Sequence, residues 1–323
     1  MQSKLLGNTG VKVSSLCLGT MTFGWQADRP TSAAIFQRCR EVGINFFDCA
    51  NVYAGGRSEE ILGELIAHCR DEIVLTTKFY GGTGEDVNAR GASRYHMRQA
   101  VEASLRRLNT DRIDVYFIHH FPADVPLEGV LRSLDDLVRA GKILYPAASN
   151  FAAWQIAKSL GISAARGWSR FEVLQPMYNL VKRQAEVEIL PLAQSEHLGV
   201  IPYSPLGGGL LTGKYAPGKR PDAGRLTENA MYQKRYEQDW GYEVAGNFTQ
   251  FAQERGYLPP ALAVAWVGSH PGVTAPIIGA RSLEQLEGSL KSLEIEMTPE
   301  LRAEISALSP EPPPATDRWE EAH

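Results

Sequence analysis

Hydrophobic residues along the 323-residue chain do not keep one period. Short apolar runs rich in β-branched and aromatic residues recur, each followed by a longer stretch with apolar positions at helical spacing and Gly or Pro nearby. Eight runs read as strands: Ser15–Leu18, Asn45–Asp48, Ile73–Thr77, Ile113–Ile118, Ile143–Ala148, Phe171–Gln175, Val200–Tyr203 and Thr274–Ile278. The clearest helical stretches are Thr31–Val42, Ser58–Ala67, Ser93–Leu108, Leu127–Ala140 and Gln184–His197. Several open on a Ser or Thr able to cap free backbone N–H groups. Strand and helix alternating eight times predict an α/β fold with a parallel sheet, and eight such strands close a (β/α)8 TIM barrel. Ahead of the barrel, Lys4–Leu6 and Val11–Val13 flank the turn residues Gly7-Asn8-Thr9-Gly10 and predict an N-terminal β-hairpin, placed to plug the barrel floor. A Gly-, Pro- and charge-rich passage, about Gly207 to Tyr242, interrupts the seventh unit and predicts a long active-site loop after strand 7. From Pro310 onward the Pro-rich, polar tail predicts an extended surface segment. No linker composition divides the chain, so residues 1–323 read as one barrel domain.

Composition narrows the partners. With 44% hydrophobic and 22% charged residues and a mean hydropathy of -0.22, the chain has the make-up of a globular protein with a large core. A net charge of -4 and scattered Lys and Arg supply no basic field, so nucleic acid is not an expected partner. Cys17, Cys39, Cys49 and Cys69 form no CxxC pair and no metal-ligand spacing, which predicts reduced, mostly buried thiols and no metal site. The opening MQSKLLGNTGVKVSS lacks an apolar signal core, and no stretch approaches the roughly 18 to 20 apolar residues of a membrane span. These features predict a cytoplasmic protein, off the membrane, and leave a monomer or homo-oligomer equally open.

In a barrel of this kind function gathers where strands end and βα loops begin. The second predicted strand ends at Asp48, with Tyr53 five residues further on; the third runs into Lys78 and the fourth into His119. An isolated phenol has a pKa near 10, and an adjacent ammonium lowers it. Lys78 is the expected ammonium, Asp48 its counter-charge, and His119 a donor able to orient a carbonyl beside the phenol. Singly, each of these residues is as compatible with an ion pair, a loop anchor or a strand cap as with catalysis.

Together, the Asp-x4-Tyr spacing, the Lys at the third strand end and the His at the fourth resemble the catalytic tetrad of the aldo-keto reductase superfamily. The likeness runs from KLLGNTGVKVSSLCLGTMTFG to PIIGARSLEQLEGSL, nearly the whole chain, and is nearer the branch that holds bacterial enzymes and potassium-channel beta subunits. It implies NADP(H)-dependent reduction of an aldehyde or ketone, with Tyr53 as general acid and base and Asp48, Lys78 and His119 assisting. No GxGxxG run follows a strand, so a Rossmann domain is not expected. Instead the resemblance implies an extended cofactor across the barrel mouth. Thr20, Met21, Asp48, Ser149, Asn150 and Gln175 would face its nicotinamide end, with Tyr203 stacked on the ring. YSPLGGGLLTGKY resembles the pyrophosphate loop, with Ser204, Pro205, Leu206, Gly208 and Lys214. Gly279, Arg281 and Gln285 resemble the adenosine end, Arg281 toward the 2′-phosphate. The family has Glu-Asn where this chain carries Gly288-Ser289, so its adenine contacts do not carry over there. Trp25, Tyr53, His119, the residues around Phe79-Tyr80 and the Gly207–Tyr242 passage are the expected substrate walls.

Two other readings fit the same barrel. The channel beta subunits of this superfamily commonly lack the tetrad histidine, so His119 favours an enzyme. A Schiff-base aldolase would use Lys78 as nucleophile but would leave Tyr53 and YSPLGGG without a role.

Overall fold

The computed structural model describes residues 1–222 and 224–316. Strands β1 (Ser3–Leu5) and β2 (Lys12–Ser14) form the predicted antiparallel hairpin, with Lys4 opposite Val13. Eight parallel strands follow: β3 (Cys17–Gly19), β4 (Phe46–Asp48), β5 (Val74–Phe79), β6 (Ile113–Ile118), β7 (Ile143–Ser149), β8 (Val173–Gln175), β9 (Gly199–Val200) and β10 (Ile277–Ile278). Neighbours pair in chain order from β3 to β9, and β10 pairs with β3. Thr274 N donates to Val200 O at 2.8 Å and Ile277 N to Pro202 O at 2.9 Å, which joins the last two strands and closes the (β/α)8 barrel.

The helices are α1 (Arg29–Glu41), α2 (Arg57–Ile66), α3 (Arg94–Leu108), α4 (Leu127–Arg139), α5 (Ala153–Arg166), α6 (Ile189–Ser195), α7 (Arg225–Glu228), α8 (Ala230–Arg235), α9 (Asp239–Glu254), α10 (Pro259–Gly268), α11 (Leu283–Leu290) and α12 (Pro299–Ser306). Their ends follow local chemistry. The Asp28 carboxylate accepts from Thr31 N ahead of α1, whose first turn also holds Pro30; Ser93 caps α3 through His96 N; Asn109 closes α3 in the left-handed region.

Apolar residues sort into two layers because strands alternate their faces. One set, including Leu18, Phe47, Leu75, Tyr116 and Leu174, packs outward against the helices. The other points inward: Cys17, Phe46, Val115, Phe117, Ala147, Val173, Ile201 and Ile277 fill the barrel. Leu6 and Val13 of the hairpin join this inner cluster, so the hairpin does plug the floor. Its turn sits so close to the start of β9 that a Cβ on Gly7, at φ +55°, would lie 2.5 Å from Gly199 N.

Several expectations need correction. Gln184–His197 is not one helix: a 3-10 turn at Gln184–Glu186 and α6 are separated by Glu188, which leaves helical geometry. Pro191 explains the break, because it has no N–H to give Val187 O and its ring crowds that carbonyl, so the helix restarts at Ile189 with Pro191 in its first turn. Ser58 does not cap α2; it is buried and its hydroxyl donates to Thr20 O at 2.7 Å. The seventh and eighth strands pair over two residues each, less than the apolar runs predicted. The Gly207–Tyr242 passage is more ordered than a loop, since it holds a 3-10 turn at Gly207–Thr212, α7, α8 and the start of α9. In the tail, residues 310–316 carry no helix or strand and are mostly exposed. The remainder of that predicted segment, 317–323, lies outside the described residues.

Candidate active site

The inward series of each strand, followed two residues past the last apolar layer, reaches polar side chains. Phe46 gives way to Asp48, Val173 to Gln175 and Ala147 to Ser149, while Thr76 leads to Lys78. These residues lie at the carboxyl ends of the strands, around a pocket of about 380 Å³. Asp48, Tyr53, His119, Ser149, Asn150, Gln175, Tyr203, Ser204, Pro205, Leu206, Gly208, Gly279 and Met21 all line it.

At its base is a fully enclosed ion pair. Lys78 Nζ donates to Asp48 Oδ2 at 2.6 Å, Asp48 Oδ1 at 2.7 Å and Cys49 O at 2.7 Å, and lies 3.5 Å from Tyr53 Oη. Lys78 is 0% and Asp48 2% exposed, so the pair exists only because it is saturated with partners. Thr76 Oγ1 and Gln175 Nε2 complete the set, donating to Asp48 Oδ1 at 2.7 and 2.8 Å. Burial works against the Lys78 charge, but Asp48 and then Tyr53 more than offset it and hold the ammonium above its ordinary range.

The phenol departs from expectation. Burial pushes Tyr53 up to about 12, and the pull of Lys78 offsets only part of that rise. Desolvating a would-be phenolate outweighs one cation, which is itself neutralised by Asp48. Across the pocket, the His119 ring lies 6.2 Å from that of Tyr53, edge to face. Burial, with Lys78 and His120 adding to it, holds His119 well below its ordinary value, so the imidazole is neutral at neutral pH. This arrangement presents one phenolic proton, a cation behind it and a neutral N–H donor beside it.

Along the opposite wall Asn150, at φ +59°, acts as a clip. Its Nδ2 donates to His119 O at 2.9 Å and its Oδ1 accepts from Tyr203 Oη at 2.7 Å. Ser149 Oγ donates to Gln175 O at 2.9 Å. Thr20 stands just behind the wall, with Oγ1 donating to Asp48 O at 3.0 Å.

Not every expected residue reaches the pocket. Trp25 is 57% exposed and does not line it. Phe79 points outward and stacks on Tyr116 in the core, with centroids 5.0 Å apart, because it occupies the alternate position to Lys78. Tyr80 reaches the rim only through His120, 5.6 Å away. Lys214 and Arg281 are exposed, and Gln285 Oε1 accepts from Arg281 N at 3.2 Å, all three outside the pocket lining. Ser289, at the position where the family pattern breaks, does line it. So do Arg225, Met231, Tyr232 and Arg235 of the long passage, and His120. Arg225 and Arg235 flank the Tyr232 ring at 5.6 and 5.1 Å. The sequence marked them only collectively, as part of the Gly207–Tyr242 passage, since no motif or strand end singles them out.

Asp48, Tyr53, Lys78 and His119 thus come together from three neighbouring strands. Separately, the model of the Aldo/keto reductase family fits residues 15–310. The chain belongs to the aldo/keto reductase family. Membership supports oxidoreductase chemistry at a carbonyl in general terms. An uncharacterized oxidoreductase, YrpG, of Bacillus subtilis is 35% identical over 97% of this chain and 97% of its own length. A probable voltage-gated potassium channel subunit beta of Arabidopsis thaliana is 38% identical over 91% and 92%. Versiconal hemiacetal acetate reductase of Aspergillus parasiticus is 31% identical over 93% and 94%. Among the described residues no group of His, Cys, Asp and Glu could hold a metal ion, and no helix is long and apolar enough to cross a membrane.

Proposed function

We propose that this family member reduces an aldehyde or ketone to an alcohol with NADPH, reversibly, with Tyr53 as the proton donor. The observation that carries the reading is the buried Lys78–Asp48 pair set 3.5 Å behind a phenol that faces a pocket shared with neutral His119. A carbonyl oxygen seated between Tyr53 Oη and His119 accepts hydrogen bonds from both. As negative charge develops on that oxygen, the phenolic proton moves to it, and Lys78 stabilises the phenolate left behind. Asp48 keeps Lys78 charged and aimed; Thr76 and Gln175 keep Asp48 in place.

The pocket suits a polyanionic dinucleotide. Arg225 and Arg235 line it, and neither has a carboxylate within ion-pair distance among the described residues. Gly207 and Gly208 take positive φ, and a Cβ on Gly208 would fall 2.8 Å from Tyr232, so the backbone is bared toward the pocket. When bound, NADPH supplies the hydride. The protein's own residues would hold it: Ser149, Asn150 and Tyr203 at the nicotinamide end, Ser204–Gly208 and Arg225 at the phosphates, and Arg281 near the adenosine 2′-phosphate.

The competing readings lose ground on two points. A Schiff-base lysine must be neutral to attack, whereas Asp48 holds Lys78 protonated. A purely regulatory barrel has no need of the intact Tyr53–His119 pair. The unpaired cysteines support a cytoplasmic setting.

The test is NADPH oxidation against a panel of aldehydes, ketones and sugars, repeated with NADH and with Tyr53→Phe. Turnover is expected on part of the panel, with NADPH favoured roughly ten- to hundredfold through a charge-assisted phosphate contact. Tyr53→Phe should lower turnover about 10²-fold or more while NADPH still binds. A Tyr53→Phe protein keeping more than about a tenth of the rate, with chemistry limiting in both, would overturn the proton-donor role.

A further inference from the structure

A second concavity opens on the far side of the segment that carries Tyr53. Its volume is about 880 Å³, and it lies between one face of α3 and the loops that follow β4 and β5. It shares no lining residue with the catalytic pocket.

Its floor is polar and unpaired. Asn51 and His96 both line it and are each 2% exposed. Neither side-chain atom of the Asn51 amide, and neither ring nitrogen of His96, has a hydrogen-bond partner. Both residues lie by the end of β5: Asn51 N donates to Lys78 O at 3.1 Å, and the His96 ring lies 6.4 Å from that of Phe79. Buried polar atoms are almost always paired, so four orphans in one place point to a polar partner from outside the chain. A carboxamide offers two donors and an acceptor, and a neutral imidazole one of each, which together match a ligand hydroxyl.

The rim is cationic. Arg94, Arg98, Arg106 and Arg107 rise from α3 along the groove. Arg94 is paired with Asp136 and Arg107 with Glu59. Arg98 and Arg106 have no carboxylate within ion-pair distance among the described residues, and Glu102, the one carboxylate in the lining, is engaged by Lys142. Two uncommitted guanidinium forks above a hydroxyl-matching floor form a site for an oxyanion.

We propose that this groove binds a small hydroxylated organic anion, its phosphate or carboxylate held by Arg98 and Arg106 and its hydroxyl by Asn51 and His96. Because Asn51 stands two residues ahead of Tyr53, the occupant bears on the segment that positions the proton donor.

Isothermal titration of the full chain with glycerol 3-phosphate, glycerate and glycerol tests this. One anion per chain is expected to bind, with no detectable binding of glycerol, and the tighter of the two anions identifies the head group. The double variant Arg98→Gln/Arg106→Gln, at exposed positions that leave the core intact, should bind at least about tenfold more weakly. His96→Phe should weaken binding as well, and Arg225→Gln, in the catalytic pocket, should not. Absence of binding by either anion, equal binding of glycerol, or binding that survives the α3 double variant and disappears with Arg225→Gln would each overturn the proposal.

Discussion

At the scale of single residues, the site turns on a competition between burial and charge at Tyr53. Lys78 pulls the phenol down, yet burial wins and leaves it at about 12. Under the proposed proton-donor role, reduction would use the protonated phenol, which dominates at every pH below about 12. Alcohol oxidation would use the phenolate, whose population rises about tenfold per pH unit until that value. The expected outcome is a reduction rate flat from neutral into the alkaline range and an oxidation rate that climbs throughout it. His119 adds no inflection near 6.5, because burial keeps it neutral to well below that pH. Profiles of kcat in both directions, with chemistry limiting, check this; an alkaline limb in reduction near pH 8 would contradict it. The sign of the Lys78 effect was legible in the residue types alone. Its size was not, since desolvation depends on how completely the barrel mouth encloses the phenol.

Among the elements, the hairpin shows how a short segment serves the whole. Leu6 and Val13 stopper the inner cluster, and Gly7 touches the backbone at the start of β9. Gly7→Ala combines a positive φ with a Cβ 2.5 Å from Gly199 N, so the hairpin must shift. We expect a loss of about 1 kcal/mol or more, read as a lower urea midpoint. Because the turn lies at the amino ends of the strands, opposite the pocket, substrate KM should stay unchanged. An unaltered midpoint would show that the hairpin does not bear on the barrel. The hairpin itself was readable from its turn residues, whereas α6 was misread because helical spacing continues through Pro191 and only the missing N–H interrupts it.

On the scale of the molecule, desolvated histidines, one of them buried and the others partly exposed, make stability depend on acid. Burial lowers His96, His119 and His120, and carries His270 down to about 4, where Arg302 adds to the effect. In the unfolded chain each takes up a proton near its ordinary value of about 6.5. Between that pH and the folded values the unfolded chain binds more protons, so stability is full above about 6.5 and falls as pH drops through this window. The urea midpoint is therefore expected to be lower at pH 5 than at pH 7.5. A midpoint equal or higher at pH 5 would mean that these histidines are solvated in the native state.

What the linear chain determined is whatever depends on local periodicity. Alternating apolar runs and helical stretches specified the eightfold repeat, because burial of a strand on both faces and of a helix on one leaves a pattern in neighbouring residues. The same alternation placed Asp48 and Lys78 at strand ends, from where they could only meet at one rim. Contacts between segments distant in sequence needed the folded barrel. Gln175 reaches Asp48 across 127 residues, Arg225 and Arg235 join a wall with strand ends far upstream, and Trp25 turns away from it. That Asn51 and His96 line the same second groove likewise has no trace in spacing. The reason is physical: periodicity records which face of an element is buried, while the partner across a loop is chosen by closure of the whole chain, and with it the degree of desolvation that sets each pKa.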